Sequence, residues 1–178
     1  DVTPYTWMDQ ITSGAGGSLA FIASSSQTPD RIISWEDGHS RVERYSESGV
    51  IVPEDMPTCQ PFSWKAPGDL GVHGLYFPPV SRRFASDGKP PAVVHIHGGP
   101  TSSATTRFNT DAAFFTTRGY GFLEVNYRGS TEYGRSYMLA LRQKWGLLDV
   151  EDAVGGAQAL VKLGLADPKR MVIMGGSA

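Results

Sequence analysis

Two short runs in this 178-residue sequence have the residue types that acyl chemistry requires. Gly175-Gly176-Ser177-Ala178 follows the apolar stretch Met171–Met174 and reads as four of the five residues of G-x-S-x-G. That pattern marks a strained strand-to-helix turn which lifts a serine Oγ clear of its sheet. On those four residues alone, a plain strand-to-helix loop or a cut-off dinucleotide-binding turn fits as well. The second run, His97-Gly98-Gly99-Pro100, comes straight after another apolar stretch and about 80 residues before Ser177. A serine nucleophile needs backbone N–H groups aimed at the oxyanion that its attack creates. Glycine suits such a turn because no Cβ stands between its amide and the reacting oxygen. The candidate donors are the amides of Gly99 and of Ala178, the residue after the serine. The two runs together favour Ser177 as an acylating nucleophile.

The partners of that serine are not evident upstream. His39, His73, His95 and His97 all precede Ser177. In α/β-hydrolases the order is serine, then Asp or Glu, then His, so both partners are expected beyond Ala178. The sequence is thus expected to be an amino-terminal piece that carries the nucleophile without its base. His95 and His97 share one strand face and could meet a metal ion, but no third ligand stands nearby, so neither a metal nor a cofactor is assigned. Arg128-Gly129-Ser130 follows a strand's carboxyl end, where ligands bind in open α/β sheets. Arg128 and His97 are therefore the residues that could stand beside a substrate. For Arg128 the favoured alternative is pairing with Asp149, Glu151 or Asp152. Cys59 has no neighbouring cation or helix start to lower its pKa and reads as a small buried residue.

Composition sets the outer limits. With 40% hydrophobic residues, 19% charged residues and a net charge of −2, the chain is of globular type and lacks a basic footprint for nucleic acid. No apolar run approaches the roughly 20 residues that span a bilayer, so no membrane partner is expected. A single cysteine excludes an internal disulfide framework and fits a reducing, cytoplasmic compartment. The start at Asp1 says nothing about targeting.

Two textures divide the elements that must position these residues. Residues 1–59 look all-β, with strands over Ser18–Ser24, Arg31–Trp35 and Arg41–Tyr45. Ser25–Asp30 reads as a turn, and Asp37-Gly38 is a strong hairpin signal. Such a meander matches a propeller blade, part of a small sandwich, or a lone sheet packed on the next domain. Residues 60–178 read as α/β. An antiparallel pair is expected over Pro61–Ala66 and Val72–Phe77, then a polar loop over Ser81–Pro90 and a strand over Ala92–His97. Beyond these lie a helix over Asn109–Arg118, a strand over Tyr120–Tyr127, and a helix over Glu132–Trp145. Asp149 is expected to N-cap a third helix, with Asp152 in capping position, before a strand over Arg170–Met174. The rhythm predicts a mostly parallel sheet with right-handed crossovers. Trp35, Trp64 and Trp145 read as core or interdomain packing.

The ordered set His97-Gly98-Gly99-Pro100, Arg118-Gly119-Tyr120-Gly121, Asn126-Tyr127-Arg128-Gly129-Ser130, Tyr133-Gly134, Trp145-Gly146, Asp149, Asp152, Asp167-Pro168 and Gly175-Gly176-Ser177 resembles the prolyl oligopeptidase family. The HGGP form is more similar to its acylaminoacyl peptidases and dipeptidyl or oligopeptide aminopeptidases than to prolyl oligopeptidase itself. The resemblance implies a partial α/β-hydrolase, helices on both faces of its sheet, preceded by the last part of a β-propeller. It implies a serine peptidase acting on short peptides through an acyl-enzyme on Ser177, with Asp and His supplied downstream. Family members often carry a tyrosine at the position of His97, whose hydroxyl helps hold the oxyanion; with histidine here, the role falls to the Gly99 amide. A carboxylesterase-type acyl hydrolase is the alternative, as is a fragment that works only with a complementary carboxyl-terminal chain. The expected partners are a peptide and that remaining carboxyl-terminal part, with room for a homo-oligomer.

Overall fold

The amino-terminal sheet is a meander of four antiparallel strands: β1 (Trp7–Ser13), β2 (Leu19–Ser25), β3 (Thr28–Glu36) and β4 (His39–Tyr45), in that spatial order. The computed structural model describes residues 2–48, 52–81, 87–99 and 101–177. At the β3–β4 hairpin Asp37 and Gly38 both take positive φ, 50° and 83°, the two-residue turn whose twist matches that of the strands. Three strands were expected here, and β1 is the fourth. It escapes the alternation test because its pairing slips between Asp9 and Thr12, where Gln10 sits at φ 51°. The expected Ser25–Asp30 turn is in fact only Ser26-Gln27, with Ser25 paired to Thr28. The Ser24 hydroxyl donates to the Thr28 carbonyl at 2.9 Å, which lets β3 begin early. Phe21, Ala23 and Ile33 form a small buried cluster on this sheet, while Ile11, Ile32 and Tyr45 are exposed.

The second sheet holds β5 (Gln60–Ala66), β6 (Leu70–Phe77), β7 (Ala92–Ile96), β8 (Gly121–Asn126) and β9 (Met171–Gly175), in the order β5-β6-β8-β7-β9. It is mixed rather than mostly parallel. The pairs β5–β6 and β6–β8 are antiparallel, whereas β8–β7 and β7–β9 are parallel. A tight hairpin makes β5 and β6 antiparallel, and only strands joined through a helical crossover can run the same way. Residues 82–86 of the expected loop lie outside the described residues.

Helices cover both faces. Helix α1 (Thr110–Thr116) packs over Leu75, Phe77, Val93 and Phe122. Its N-cap is Asn109, whose Oδ1 accepts from the N–H groups of Asp111 and Ala112 at 2.9 and 3.0 Å. The helix expected over Glu132–Trp145 shrinks to α2 (Arg135–Leu139). Glu132, Gly134, Gln143 and Gly146 all have positive φ and break it on either side. Tertiary contacts override its propensity: Tyr133 stacks on His73 at 4.4 Å, the Tyr137 hydroxyl donates to the Asn126 carbonyl at 2.7 Å, and Leu141 is buried. Trp145 is exposed, not packed.

Helix α3 (Leu148–Lys162) covers the opposite face, over Val94, Leu123 and Val125. It begins one residue before Asp149, which lies in the first turn, where a carboxylate complements the helix dipole. Asp152 does not cap; it is fully buried against Arg128. With α1 and α3 on its two faces, all six residues of β8 are buried. The two sheets meet at residues 104–108, where Arg107 pairs with both oxygens of Asp30 and the Phe108 N–H donates to Ser24 Oγ at 3.0 Å. The Arg107 guanidinium is the main reason the Asp30 carboxyl titrates below the usual range. Among the described residues no helix is long and apolar enough to cross a membrane.

Candidate active site

Three neighbouring parallel strands end at one place. In the sheet register Ile96 of β7 lies between Val125 of β8 and Gly175 of β9. The residues that follow are therefore brought together: Tyr127 to Ser130 after β8, His97 to Gly99 after β7, and Gly176-Ser177 after β9. This is the carboxyl edge at which α/β sheets bind ligands.

Ser177 is exposed and has φ 57°. A non-glycine residue in that region is strained and persists where the surroundings impose it, commonly at functional sites. The Gly98 backbone packs against this turn. A Cβ on Gly98 would lie 2.3 Å from the Gly176 carbonyl oxygen and 2.6 Å from that of Ser177. Of the glycine pair it is thus Gly98 that permits the approach, a residue to which the sequence reading gave no role. Gly99 has φ 61° and open space around it, and its N–H donates to the Ser177 carbonyl at 3.3 Å. The expected donor is therefore engaged by the residue of the candidate nucleophile. The other, Ala178, lies outside the described residues, as does Pro100. In the intact protein Gly98→Ala is expected to slow labelling of Ser177 by a fluorophosphonate at least ~100-fold, because the turn must move by about an ångström. Gly99→Ala should cost far less, and the reverse ranking would reject this assignment.

His97 sits against the turn. Its ring stacks on Tyr127 with centroids 4.5 Å apart, Nδ1 lies 3.2 Å from the Gly98 carbonyl oxygen, and Nε2 lies 2.8 Å from Ser130 Oγ. Burial is the main cause that lowers its pKa, so the ring is neutral at neutral pH. A carbonyl can only accept, so Nδ1 carries the hydrogen and Nε2 accepts from the Ser130 hydroxyl. Both ring nitrogens are thereby used.

His95 faces Glu124, with Nδ1 3.2 Å from Oε1, and Asn109 donates to the same carboxylate. The Glu124 carboxylate beside it is the main cause that raises the His95 pKa, against the opposing effect of burial. A raised folded-state value means that this pair stabilises fully below the unfolded value and is lost as pH rises through the folded one. The loss in melting temperature on His95→Gln should therefore be larger at about pH 6 than at about pH 8.5. A loss independent of pH would show that the pair contributes only packing.

Arg128 is buried and held by acids. Its Nε lies 3.0 Å from both Asp152 oxygens, its Nη2 lies 2.7 Å from Asp152 Oδ1, and it also pairs with Glu151. This is the expected acidic pairing. Cys59 has its thiol pushed up to about 12, chiefly by burial, and is no nucleophile at neutral pH.

Two hollows flank the turn. A cleft of about 660 Å³ between the sheets is lined by Asp30, Glu47, His97, Arg107, Asn109 and Glu124. A pocket of about 310 Å³ is lined by Ile96, His97, Tyr127, Trp145, Gly176 and Ser177. His97 lines both.

Residues 106–178 match the model of the prolyl oligopeptidase family. The chain is similar to a puromycin-hydrolyzing peptidase of Mycobacterium tuberculosis, with a TM-score of 0.93 and 36% identity over 98% of this chain and 28% of that one. To the acylaminoacyl peptidase of Pyrococcus horikoshii the TM-score is 0.77 at 26% identity, over 95% of this chain and 27% of that one. The acylamino-acid-releasing enzyme of Arabidopsis thaliana is 37% identical over 87 residues, 49% of this chain. The chain spans 11% of that relative's length. With the glycine turn and the serine at adjoining strand ends, these matches make residues 106–178 similar to the prolyl oligopeptidase family.

Proposed function

We propose that the intact protein is a serine peptidase of the aminopeptidase or acylaminoacyl-peptidase type, with Ser177 as its nucleophile. The observation that carries this reading is the strained Ser177 at the end of β9, with the Gly98 backbone packed directly against it. Ser177 Oγ attacks the carbonyl carbon, and its proton passes to a histidine in the part of the relatives' length that this chain does not span. The tetrahedral oxyanion takes hydrogen bonds from the amides of Gly99 and Ala178. For Gly99 the oxyanion displaces the Ser177 carbonyl, a neutral and therefore weaker acceptor. The intermediate collapses to an acyl-enzyme as the amine leaves with the proton, and water releases the acid.

In this reading residues 1–59 are the end of a β-propeller and residues 60–178 the amino-terminal part of the catalytic domain. Three buried residues are too small a core for a free-standing sheet, and the exposed Ile11 and Ile32 suit a neighbouring blade. The peptide would enter the cleft between the sheets. The relatives' names, which speak of acylaminoacyl and puromycin substrates, support a peptide-like amide in that place. The lone, unreactive Cys59 suits a cytoplasmic enzyme. A panel of aminoacyl-, acyl-aminoacyl- and dipeptidyl-anilides set against simple chromogenic esters tests the reading. Turnover of an anilide supports it. Hydrolysis of esters alone would favour a carboxylesterase of the same chemistry.

A further inference from the structure

We propose that Tyr127 and Ser130, in the loop after β8, are positioning residues that hold the His97–Gly99 turn against the nucleophile. The assignment rests on the acyl-transfer reading of Ser177. A glycine pair one residue past the end of β7 leaves the turn with two residues that have no side chain to anchor them and a wide choice of backbone angles. The anchoring must therefore come from outside the turn.

The β8 loop supplies it through three contacts. The Tyr127 ring lies under the His97 ring at 4.5 Å, with 17° between their planes. The Ser130 hydroxyl donates to His97 Nε2 at 2.8 Å, the shortest polar contact of the turn's side chain. The Tyr127 hydroxyl lies 3.3 Å from the His97 carbonyl oxygen and 3.4 Å from that of Gly99, so a single phenolic hydrogen bridges the two ends of the turn. Ser130 is fully buried and Tyr127 nearly so.

The clamp is itself held rigidly. The Arg128 N–H donates to Asp152 Oδ2 at 2.7 Å, the Gly129 N–H donates to the Tyr137 carbonyl at 3.0 Å, and the Ser130 N–H returns to the Tyr127 carbonyl at 2.9 Å. A Cβ on Gly129 would meet the buried Leu141 side chain at 2.7 Å, so this loop has little room to shift. The order of support runs from α3 through the β8 loop and the His97 ring to the Gly98 and Gly99 backbone. A group that acts only by placing the oxyanion donors matters when the oxyanion forms and not when substrate binds.

The intact protein carrying Tyr127→Phe or Ser130→Ala tests this on an anilide that the wild type turns over. The expected result is a fall in kcat of roughly 10- to 100-fold with KM within about twofold. Phosphonylation of Ser177 by a fluorophosphonate should slow by the same factor, because the phosphoryl oxygen takes the oxyanion's place. A kcat within about twofold of wild type, or a rise in KM alone, overturns the clamp. If Ser130→Ala no longer melts cooperatively, Tyr127→Phe decides, since it removes one oxygen and keeps the ring. A parallel Ser177→Ala protein separates the two failures: retained anilide turnover there would sink the nucleophile assignment, whereas its loss beside unchanged clamp variants would sink the clamp alone.

Discussion

If the proposed function holds, Ser177→Ala in the intact protein is expected to lower kcat/KM for peptide anilides by on the order of 10⁴- to 10⁶-fold, with KM nearly unchanged. The size follows from what the hydroxyl does. Without it no acyl-enzyme forms, and the residual rate rests on binding and on oxyanion donors acting on attack by water. Alanine keeps the Cβ and loses one exposed oxygen, so the strained turn and the Gly98 contact are retained and the fold should be unaffected. A variant that melts like wild type and turns over no anilide is the expected pair of results. Activity that survives within about tenfold would place the nucleophile elsewhere.

Asp152→Ala is expected to destabilise the five-stranded sheet and its helices by about 3–5 kcal/mol, the cost of leaving a buried charge without its partner. Asp152 is wholly buried, and Arg128 is 6% exposed. Asp152 accepts from the Arg128 guanidinium at 3.0 and 2.7 Å and from the Arg128 backbone N–H at 2.7 Å. Glu151, on the solvent side of the pair, cannot replace the second oxygen and the backbone acceptor together. Buried ion pairs often have apolar replacements of similar stability, so Asp152→Leu combined with Arg128→Met should recover the charge-related part of the loss. The Arg128 amide would remain unsatisfied, and about 1–3 kcal/mol should persist. Chemical denaturation of the three proteins reads this directly. A loss below about 1 kcal/mol for Asp152→Ala would mean that water reaches Arg128 and that the pair counts as a surface one.

The markers of the candidate site are local and so could be read from the sequence. The strand before Ser177 and the glycines after β7 depend on neighbours within a few residues. The hairpin turn at Asp37-Gly38 and the Asn109 cap are likewise local bonds that a short window contains. The misread elements depend on partners far away in sequence. The expected helix over Glu132–Trp145 has good helical residues, yet Tyr133 and Tyr137 are drawn to His73 and Asn126, and four positive φ angles break it. Asp152 has the type and position of a capping residue, and only its burial beside Arg128, 24 residues away, gives it another role. Gly155-Gly156 would cost a free helix about 1 kcal/mol each. Their reason is the Trp64 indole, which a Cβ at either position would meet within about 3 Å.

The sequence by itself marked the candidate residues: a serine on a strand-end turn, a glycine turn to stand near it, and the α/β rhythm that carries both. Short-range sterics are enough for that, since a turn residue's type follows from the angle and the space it must fit. Only the tertiary structure decided which glycine touches Ser177, where the Gly99 amide points, and what holds His97. Those answers come from the parallel register of β8, β7 and β9, which sets side by side three loops that lie about 30 to 80 residues apart in the chain.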